Sequence, residues 1–459
     1  MMKVMKFGGT SVGSPEALRR AVGIITEGGG DKVVVVSAMS GVTNFLVSGA
    51  EGLPGNKEAL LGEFEKKHLE AARMLLGEGQ MEGFMADFRA RMDGFRGLLD
   101  DEGARGCPYY KDNITSQGER FSSLILSYAL RGAGARSVAL TSEDCGICAE
   151  GRPLSGSANL QRTESMMAMK VRPYVADGVI PVITGFYGVT ADGLPLTFGR
   201  GGSDYSAAVV ANAMNADVLE IWTDVDGFMS ADPRIVPDAV KIDEMNFGEA
   251  AELAYFGAKV LHPRTIEPVR MKHIPLKVRN SFKPEEPGTL IRHLREPRGD
   301  MLMSVALKTD LSVIAISSAE IAFHPNMVAR IIGKIAEGEV VIYSVSTSLS
   351  TVAFLVHSND VKSILSRLNT LDPGDIERIE VKGEVALVCA VGDNLISRCG
   401  VSADIFAAVK EARASVQMIS EGASDVSLNF AVPMSKAVDV VKLLHSKYVR
   451  GSADEGIRQ

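Results

Sequence analysis

An apolar segment near the N-terminus ends in a glycine pair and two hydroxyl residues, in the order Lys6-Phe-Gly-Gly-Thr-Ser11. Gly8 and Gly9 would let the backbone approach a bulky anion, because no Cβ stands in the way. The amides of such a turn form a concave set of donors, and a helix behind it directs its positive end to the same place. Ser14 is suited to cap that helix and Pro15 to its first position. With the cation of Lys6, this pattern predicts a phosphate-binding turn, although a buried strand with an ordinary glycine turn fits this segment alone equally well.

A second glycine-rich segment reads Phe198-Gly-Arg-Gly-Gly-Ser-Asp-Tyr-Ser206 and runs into an alanine-rich stretch. Ser203 and Asp204 could be only helix caps there. An arginine held between glycines is harder to explain in that way, because glycine destabilises a segment unless the backbone must bend or be approached. The guanidinium of Arg200 matches a carboxylate or phosphate in bidentate fashion, so we predict a ligand-binding loop.

Hydroxyl and acidic residues recur after other predicted elements. The segment Ser37-Ala-Met-Ser-Gly-Val-Thr-Asn44 adds hydroxyls at another strand end. Glu119 falls in the first turn of a predicted helix, where it could simply complement the helix dipole. The functional alternative is a partner for a substrate ammonium.

The segment Ile221–Arg234 is dense in aspartate and glycine, which suits a loop that lines a nucleotide-binding site. Lys259 offers one more cation at a helix end, and His262 beside a proline is expected to be structural. No His-Glu-x-x-His or paired Cys/His spacing occurs, so we name no metal ligand. The lone spacing Cys145-Gly-Ile-Cys148 does not lead us to expect a zinc or redox site.

These motifs follow short β-branched runs that alternate with helical patterns over residues 1–290. We predict strands at Val4–Phe7, Lys32–Ser37, Ser137–Thr141, Ile180–Gly185, Val218–Thr223 and Leu276–Arg279, and helices at Glu16–Glu27, Lys57–Leu76 and Ser203–Met214. Alternation of this kind favours an α/β fold with a mostly parallel sheet flanked by helices, whose ligands bind beyond the carboxyl ends of the strands. Residues 50–115 are expected to form a helical insertion that caps the sheet.

A proline- and glycine-rich cluster at Lys283–Gly288 predicts the exit from this region. After this cluster the predicted order of elements is strand, helix, strand, strand, helix, and this order repeats with a period of about 75 residues. Phe354 in one copy corresponds to Phe430 in the other. Two ferredoxin-like βαββαβ units explain the repeat most simply, and two unrelated α+β stretches are the alternative.

The bulk properties of the 459-residue chain limit the classes of function. Its length predicts two or three domains. A net charge of −8 argues against nucleic-acid binding, and no apolar run reaches the roughly 20 residues of a membrane span. Five cysteines and an N-terminus without a targeting pattern lead us to expect a cytoplasmic protein.

Together these residues resemble the aspartokinases of the amino acid kinase family, and the repeat resembles tandem ACT domains. The matching motifs are Lys6–Ser11, Ser37–Asn44, Ser116–Glu119, Gly199–Asp204, Trp222–Gly227 and Asp232–Arg234. The resemblance implies a catalytic domain at 1–290 and regulatory ACT domains at 301–375 and 380–450. It also implies transfer of a phosphoryl group from ATP to the side-chain carboxylate of L-aspartate, the first step towards lysine, threonine and methionine. Because that carboxylate is ionised at neutral pH, no general base is needed.

The resemblance also implies roles for individual residues. Lys6 would stabilise the transferring phosphoryl group, Asp204 would orient it, Arg200 would clamp the α-carboxylate and Glu119 would take the α-ammonium. The aspartate pocket would be completed by Ser37, Thr43, Phe186 and Ser203. The nucleotide would meet Lys6, Gly8, Gly9, Thr223, Asp224, Met229, Arg234, Lys259 and Val260, with Mg²⁺ held mainly by phosphate oxygens.

Two positions depart from the family pattern. Met229 stands where the family often has a tyrosine in the nucleotide loop. Tyr343 stands where lysine-inhibited members carry an acidic residue, which puts lysine inhibition in doubt. An amino-acid effector would bind at the loop Ile321–Met327 facing Val341–Ser346, unless the ACT units serve only to pack a homodimer or homotetramer.

Other functions remain open on the sequence. A kinase of the same fold could act on glutamate, acetylglutamate or a nucleotide, and a catalytically inactive ACT sensor is a further class. Glu119 and Arg200, placed to hold both ends of a free amino acid, argue against nucleotide and N-acylated substrates. Intact Lys6, Arg200 and Asp204 argue against a sensor. We do not expect a fused homoserine dehydrogenase, because the sequence ends shortly after the second repeat.

Overall fold

The chain forms two compact units. The computed structural model describes residues 1–53, 55–257, 260–296, 301–322, 325–338, 340–371, 376–393, 395, 397–422 and 424–449. The first unit comprises Met1–Phe228, Asp243–Phe247 and Val260–Arg295. The second comprises Met229–Ile242, Gly248–Lys259 and Glu296–Gln459.

The first unit is built on an eight-stranded sheet in the order β10-β12-β11-β9-β1-β2-β6-β3, and two hairpins, β4–β5 and β7–β8, accompany it. The strands are β1 (Met2–Phe7), β2 (Asp31–Val36), β3 (Ser137–Leu140), β4 (Ala149–Arg152), β5 (Ser155–Ala158), β6 (Ile180–Thr184), β7 (Tyr187–Val189), β8 (Pro195–Thr197), β9 (Val218–Thr223), β10 (Glu244–Asn246), β11 (Leu276–Asn280) and β12 (Thr289–Arg292). Neighbours from β11 through β9, β1, β2 and β6 to β3 are parallel, whereas β12 runs antiparallel to β11. Four consecutive valines, 33–36, are completely buried in β2, as a strand covered on both faces requires.

The six predicted strands correspond to β1, β2, β3, β6, β9 and β11, so the mostly parallel sheet is confirmed. The strands that the sequence analysis did not predict are short: β10 and the two members of the β7–β8 hairpin have three residues each. Runs of that length have too few residues for an alternating pattern. Because β9, β1, β2 and β6 are adjacent, the motifs that follow them share one edge of the sheet.

Helices cover this sheet. They are α1 (Pro15–Thr26), α2 (Val42–Glu51), α3 (Lys57–Leu75), α4 (Glu78–Asp100), α5 (Glu102–Arg105), α6 (Tyr110–Thr115), α7 (Gln117–Gly132), α8 (Ser142–Cys145), α9 (Leu160–Lys170), α10 (Arg172–Ala176), α11 (Gly202–Met214), α12 (Phe247–Phe256) and α13 (Ile266–Arg270). As predicted, Ser14 caps α1, and its hydroxyl accepts from the Ala17 amide at 3.2 Å. The helical insertion packs on α7 through edge-to-face contacts of Phe121 with Phe64 and Phe88. No helix in the described part of the chain is long and apolar enough to cross a membrane.

The second unit contains a six-stranded antiparallel sheet in the order β14-β15-β13-β16-β18-β17. Its elements are β13 (Ser304–Ser317), α14 (Pro325–Ala336), β14 (Ile342–Thr347), β15 (Thr351–His357), α15 (Val361–Leu368), β16 (Arg378–Val391), α16 (Val401–Glu411), β17 (Met418–Ser420), β18 (Ser427–Pro433) and α17 (Met434–Leu444). Phe354 and Phe430 are both fully buried, each in its own hydrophobic cluster. The two predicted βαββαβ copies are therefore confirmed.

The two copies share their central strands. The second half of β13 and the first half of β16 belong to the first copy, and the remaining halves complete the second copy. The register shifts between Lys308 and Leu311, where Asp310 has a φ of 62°, and Glu384 on β16 has a φ of 53°. Such bulges bend a strand and allow it to serve two halves of one sheet.

Two segments within the predicted domain at 1–290, Met229–Ile242 and Gly248–Lys259, belong to the second unit. Ala231 and Val236 lie in the hydrophobic cluster of the second ACT copy. The Ser230 hydroxyl is 2.8 Å from Nε2 of His445, in the helical turn His445–Val449. The division at 1–290, 301–375 and 380–450 stays a prediction.

Gly288 offers a test of the packing between β11 and the turn before β12 in the first unit. It has a φ of 71° before β12, and a Cβ there would overlap the Val278 carbonyl oxygen on β11. Gly134 also has a positive φ, 87°, but a Cβ there would meet open space. We expect Gly134→Ala to cost about 1–2 kcal/mol through backbone strain alone, and Gly288→Ala to cost roughly 1–3 kcal/mol more through overpacking. The buried Trp222, the single tryptophan of the chain, reports unfolding of the first unit by fluorescence. Equal losses of stability in the two variants would contradict the predicted overlap.

Candidate active site

Lys6 forms an ion pair in the middle of the first sheet. It lies near the carboxyl end of β1, is 7% exposed, and is paired in register with Val35 on β2 and Ile221 on β9. Its ammonium group contacts Oδ1 of Asp204 in the first turn of α11. The side chain of Asp204 keeps 18% of its surface exposed, so the pair is open on one side. The arrangement holds a cation where the central strands end.

The turn after β1 presents free amides beside this cation. The Gly8 amide donates to the Trp222 carbonyl oxygen at 3.2 Å, and the Gly8 carbonyl accepts from the amides of Ser11 and Val12. Within the described residues, the Gly9 and Thr10 amides donate to no protein acceptor. A Cβ on Gly9 would lie 3.2 Å from the Ala38 carbonyl oxygen, so the glycine allows the turn to pack against the loop after β2. The turn can therefore bind an anion.

Glu119 is a buried carboxylate with one unused oxygen. It lies in the first turn of α7, is 1% exposed, and accepts from the Ala38 amide at 3.0 Å through Oε1. Its Oε2 has no hydrogen-bond partner among the residues that the structure describes. Burial raises the pKa of Glu119 to about 8, against the opposing effects of the Ala38 amide and the charges of Arg120 and Lys6. Such a group can accept a hydrogen bond from an incoming cation.

Arg200 stands on a glycine-rich loop before α11. Gly199 and Gly201 have φ values of 71° and 70°, a conformation that disfavours other residues. Arg200 is exposed, and within the described part of the chain its guanidinium makes no hydrogen bond or ion pair. The amides of Ser203 and Asp204, at the positive end of α11, also have no acceptor among the described residues.

The remaining predicted aspartate-pocket residues lie at the ends of β2 and β6. Ser37 follows β2, with its amide bonded to the Phe7 carbonyl oxygen at 3.1 Å, and Thr43 lies in the first turn of α2. Phe186 follows β6 with a φ of 75°, and its carbonyl oxygen accepts from Phe198 at 2.8 Å. A non-glycine residue in this conformation stores strain, which is typical of binding sites.

The predicted nucleotide residues are distributed over both units. Thr223 ends β9 in the first unit and Asp224 follows it, and the Thr223 hydroxyl donates to Asp224 at 3.2 Å. Met229 and Arg234 lie in the second unit, where the exposed Arg234 makes an ion pair of 2.6 Å with Asp232. Val260 is half-buried in the first unit, and Lys259 lies outside the described residues.

Comparison with known proteins identifies the family. The model of the amino acid kinase family matches residues 1–280, and that of the ACT domain matches residues 388–448. The lysine-sensitive aspartokinase 3 of Escherichia coli (strain K12) is 32% identical over 460 residues, which cover 96% of this chain and 98% of that protein. The chain belongs to the aspartokinases of the amino acid kinase family. The resemblance carried by the sequence motifs is thus confirmed.

Further relatives of this aspartokinase-family chain differ in length. The bifunctional aspartokinase/homoserine dehydrogenase 2, chloroplastic, of Zea mays is 30% identical and is matched over 98% of this chain. The chain spans about half the length of such curated plant relatives. Among solved structures, E. coli aspartokinase III in complex with aspartate and ADP (R-state) has a TM-score of 0.82 at 30% identity, covering 97% of this chain and 99% of that one. The same protein in complex with lysine and aspartate (T-state) also gives 0.82.

Two features of the aspartokinase-family site were not found by sequence reasoning. A Cβ on Gly118 would lie 2.6 Å from the Ala38 side chain, so this glycine lets α7 approach the loop after β2 and brings Glu119 to the Ala38 amide. A glycine in the first turn of a helix was the available signal. Asp112 and Arg264, which hold the loop around Arg200, gave no local signal, because their partners are distant in sequence.

The raised pKa of Glu119 predicts a pH dependence of stability. Because its folded-state pKa of about 8 exceeds the ordinary 4.5, its stabilising contribution is complete below pH 4.5 and is lost as the pH rises through about 8. We expect the melting temperature of the unliganded protein to fall, relative to that of Glu119→Gln, between about pH 4.5 and pH 8. Trp222 fluorescence measures both curves, and parallel curves would contradict the raised pKa.

Proposed function

We propose that the chain is an aspartate kinase, which transfers the γ-phosphoryl group of ATP to the side-chain carboxylate of L-aspartate and forms 4-phospho-L-aspartate and ADP. This is the first step towards lysine, threonine and methionine. The observation that carries the proposal is the pairing of Lys6 with Asp204 beside a buried Glu119 that has an unused oxygen. The E. coli structure with aspartate and ADP, which matches nearly the whole chain, supports it.

The two ends of the amino acid would be held by opposite charges. Glu119 would accept a hydrogen bond from the α-ammonium through Oε2, for which the described residues provide no other partner. Arg200 would clamp the α-carboxylate, since its guanidinium is exposed and unpaired within the described residues. Ser37, Thr43, Phe186 and Ser203 would line the space between them. The side-chain carboxylate would then face the turn after β1.

The chemical step needs charge neutralisation rather than proton transfer. An oxygen of the ionised carboxylate forms a bond to the γ-phosphorus, and the bond to the bridging oxygen breaks, so that ADP leaves with the electron pair. Lys6 would neutralise charge on the transferring phosphoryl group, and Asp204 would hold the ammonium of Lys6 in place. The free amides of Gly9 and Thr10 would add hydrogen bonds to phosphate oxygens.

The residues that the family resemblance assigns to the nucleotide are Thr223, Asp224, Met229, Arg234, Lys259 and Val260. Among the described residues, no three His, Cys, Asp or Glu side chains gather as metal ligands. The donor set therefore fits a Mg²⁺ ion that arrives with ATP and is held mainly by phosphate oxygens. When bound, that ion would neutralise phosphate charge.

Other phosphoryl-transfer functions fit the site less well. A substrate without an ammonium would leave Oε2 of Glu119 buried and without a hydrogen-bond partner among the described residues, which disfavours nucleotides and acetylglutamate. Glutamate carries the same two end groups, so it is the alternative that an experiment must exclude. A catalytically inactive sensor would have no use for the Lys6–Asp204 pair.

Regulation and assembly are proposed at the ACT copies. The E. coli relative is lysine-sensitive by name. In this chain Tyr343 is half-buried, with its ring 5.9 Å from that of Tyr255 and beneath the ammonium of Lys308 at 5.1 Å. Tyr343 itself offers no carboxylate to a lysine ammonium, so lysine inhibition is not assumed, and we propose an amino-acid effector at the ACT copies; part of the loop Ile321–Met327 lies outside the described residues. We also propose that the ACT copies pack a homodimer or homotetramer, and the free cysteines suit the cytoplasm.

A hydroxamate assay tests the substrate. With ATP, Mg²⁺ and hydroxylamine, we expect aspartyl hydroxamate from L-aspartate and at least about tenfold less product from L-glutamate, because one extra methylene must be accommodated between the same end groups. Absence of product with aspartate, or equal product with both amino acids, would contradict the proposal. Repeating the assay with lysine, threonine and methionine identifies the effector.

The role of Lys6 has a matched control in the neighbouring strand. Lys32 on β2 is equally buried, but its ammonium donates to the carbonyl oxygens of Ile25, Glu27 and Gly28 near the end of α1. We expect Lys6→Ala to lower kcat by about 10²–10³-fold with little change in KM for aspartate. Lys32→Ala should lower the melting temperature and leave kcat close to that of the wild type. A similar loss of kcat in both variants would remove the special role of Lys6.

A further inference from the structure

A fully buried carboxylate connects two parts of the first unit. Asp112 in α6 has no exposed surface. Its Oδ1 accepts three hydrogen bonds: from the Thr197 amide at 2.8 Å, from the Thr197 hydroxyl at 2.7 Å and from the Leu154 amide at 2.9 Å. Its Oδ2 is buried and has no hydrogen-bond partner in the described part of the chain. Burying a carboxylate with one unsatisfied oxygen is costly, so this residue is poorly explained as a device for stability.

Asp112 joins α6 to β8. Each of these elements leads along the chain to one of the two residues, Glu119 and Arg200, that are assigned to the ends of the substrate. The α6 helix ends at Thr115 and α7 starts at Gln117, so Glu119 follows Asp112 across one short junction. Thr197 is the last residue of β8, and Arg200 follows it three positions later. The hydrogen bonds of Asp112 therefore limit how far the loop carrying Arg200 can move from the helix carrying Glu119.

Arg264 braces the same loop. It donates through Nη1 to the Phe198 carbonyl oxygen at 2.8 Å and through Nη2 to the Gly156 carbonyl oxygen at 2.7 Å. Its guanidinium also lies 4.6 Å from the centre of the Tyr205 ring on α11. Thr197 and Phe198 are thus both held by buried or half-buried side chains, whereas the exposed guanidinium of Arg200 makes no hydrogen bond or ion pair with the described residues. Hydrogen bonds with Asp112 and Arg264 therefore hold the start of the loop, and the cation of Arg200 lies further along it.

We propose that Asp112 is a positioning residue, which sets the spacing between Glu119 and Arg200 and thereby selects aspartate over its longer homologue glutamate. This proposal rests on the proposed function. Asp112 does not touch the substrate; it acts through Thr197. Loosening the contact between Asp112 and Thr197 widens the range of distances between Glu119 and Arg200. Aspartate then binds more weakly, and the extra methylene of glutamate is penalised less.

Thr197 provides the sharper test, because it offers a matched pair of variants. Thr197→Val removes the hydroxyl donor and keeps the shape and the backbone amide, whereas Thr197→Ser keeps the donor. We expect Thr197→Val to raise KM for aspartate about tenfold and to lower the preference for aspartate over glutamate, with kcat and KM for ATP within about twofold of the wild type. Thr197→Ser should behave like the wild type. Asp112→Asn, which keeps an acceptor for Thr197, should give an intermediate KM.

The outcomes separate this proposal from the proposed function. If the wild type phosphorylates aspartate but Thr197→Val lowers only the melting temperature, Asp112 has a purely structural role and the inference is wrong. Equal losses in kcat and in both KM values would also contradict the inference. If the wild type neither binds L-aspartate by calorimetry nor phosphorylates it, the proposed function falls, and the inference falls with it.

Discussion

The ion pair between Lys6 and Asp204 is the interaction on which the arrangement of the site depends. A lysine that is 7% exposed in a central strand needs a partner for its ammonium group, and for Lys6 that partner is an anion. Asp204 supplies it only if the first turn of α11 lies at the carboxyl end of β1. The pair therefore fixes a strand and a helix together, and it leaves a cation and free helix amides at the same edge of the sheet.

Two carboxylates near Lys6 are given different properties by their surroundings. Asp204 is half-buried and paired with the ammonium. Glu119 is enclosed, bonded to a single backbone amide, and has its pKa raised to about 8 by burial. One acidic group is thus paired with a cation of the protein, and the other has an oxygen without a hydrogen-bond partner among the described residues, a difference set by burial and neighbours rather than by residue type.

The second unit shows the same dependence on long-range packing. Its two ACT copies share β13 and β16, so neither copy completes its sheet alone. The segment that carries Met229 and Arg234 packs within this unit through Ala231 and Val236. These two residues are therefore positioned by the packing of the ACT region, although they lie in the sequence between strands of the first sheet.

The sequence by itself determined the local features: the strands of the parallel sheet, the cap at Ser14, the glycine turns, the repeat marked by Phe354 and Phe430, and the family. These follow from periodicity, capping and backbone freedom, which act over a few residues. Only the tertiary structure decided which acid Lys6 pairs with, that Glu119 is enclosed against Ala38, and that Asp112 holds Thr197. Those contacts join residues far apart in the chain, and they depend on how whole elements pack, which local propensity does not encode.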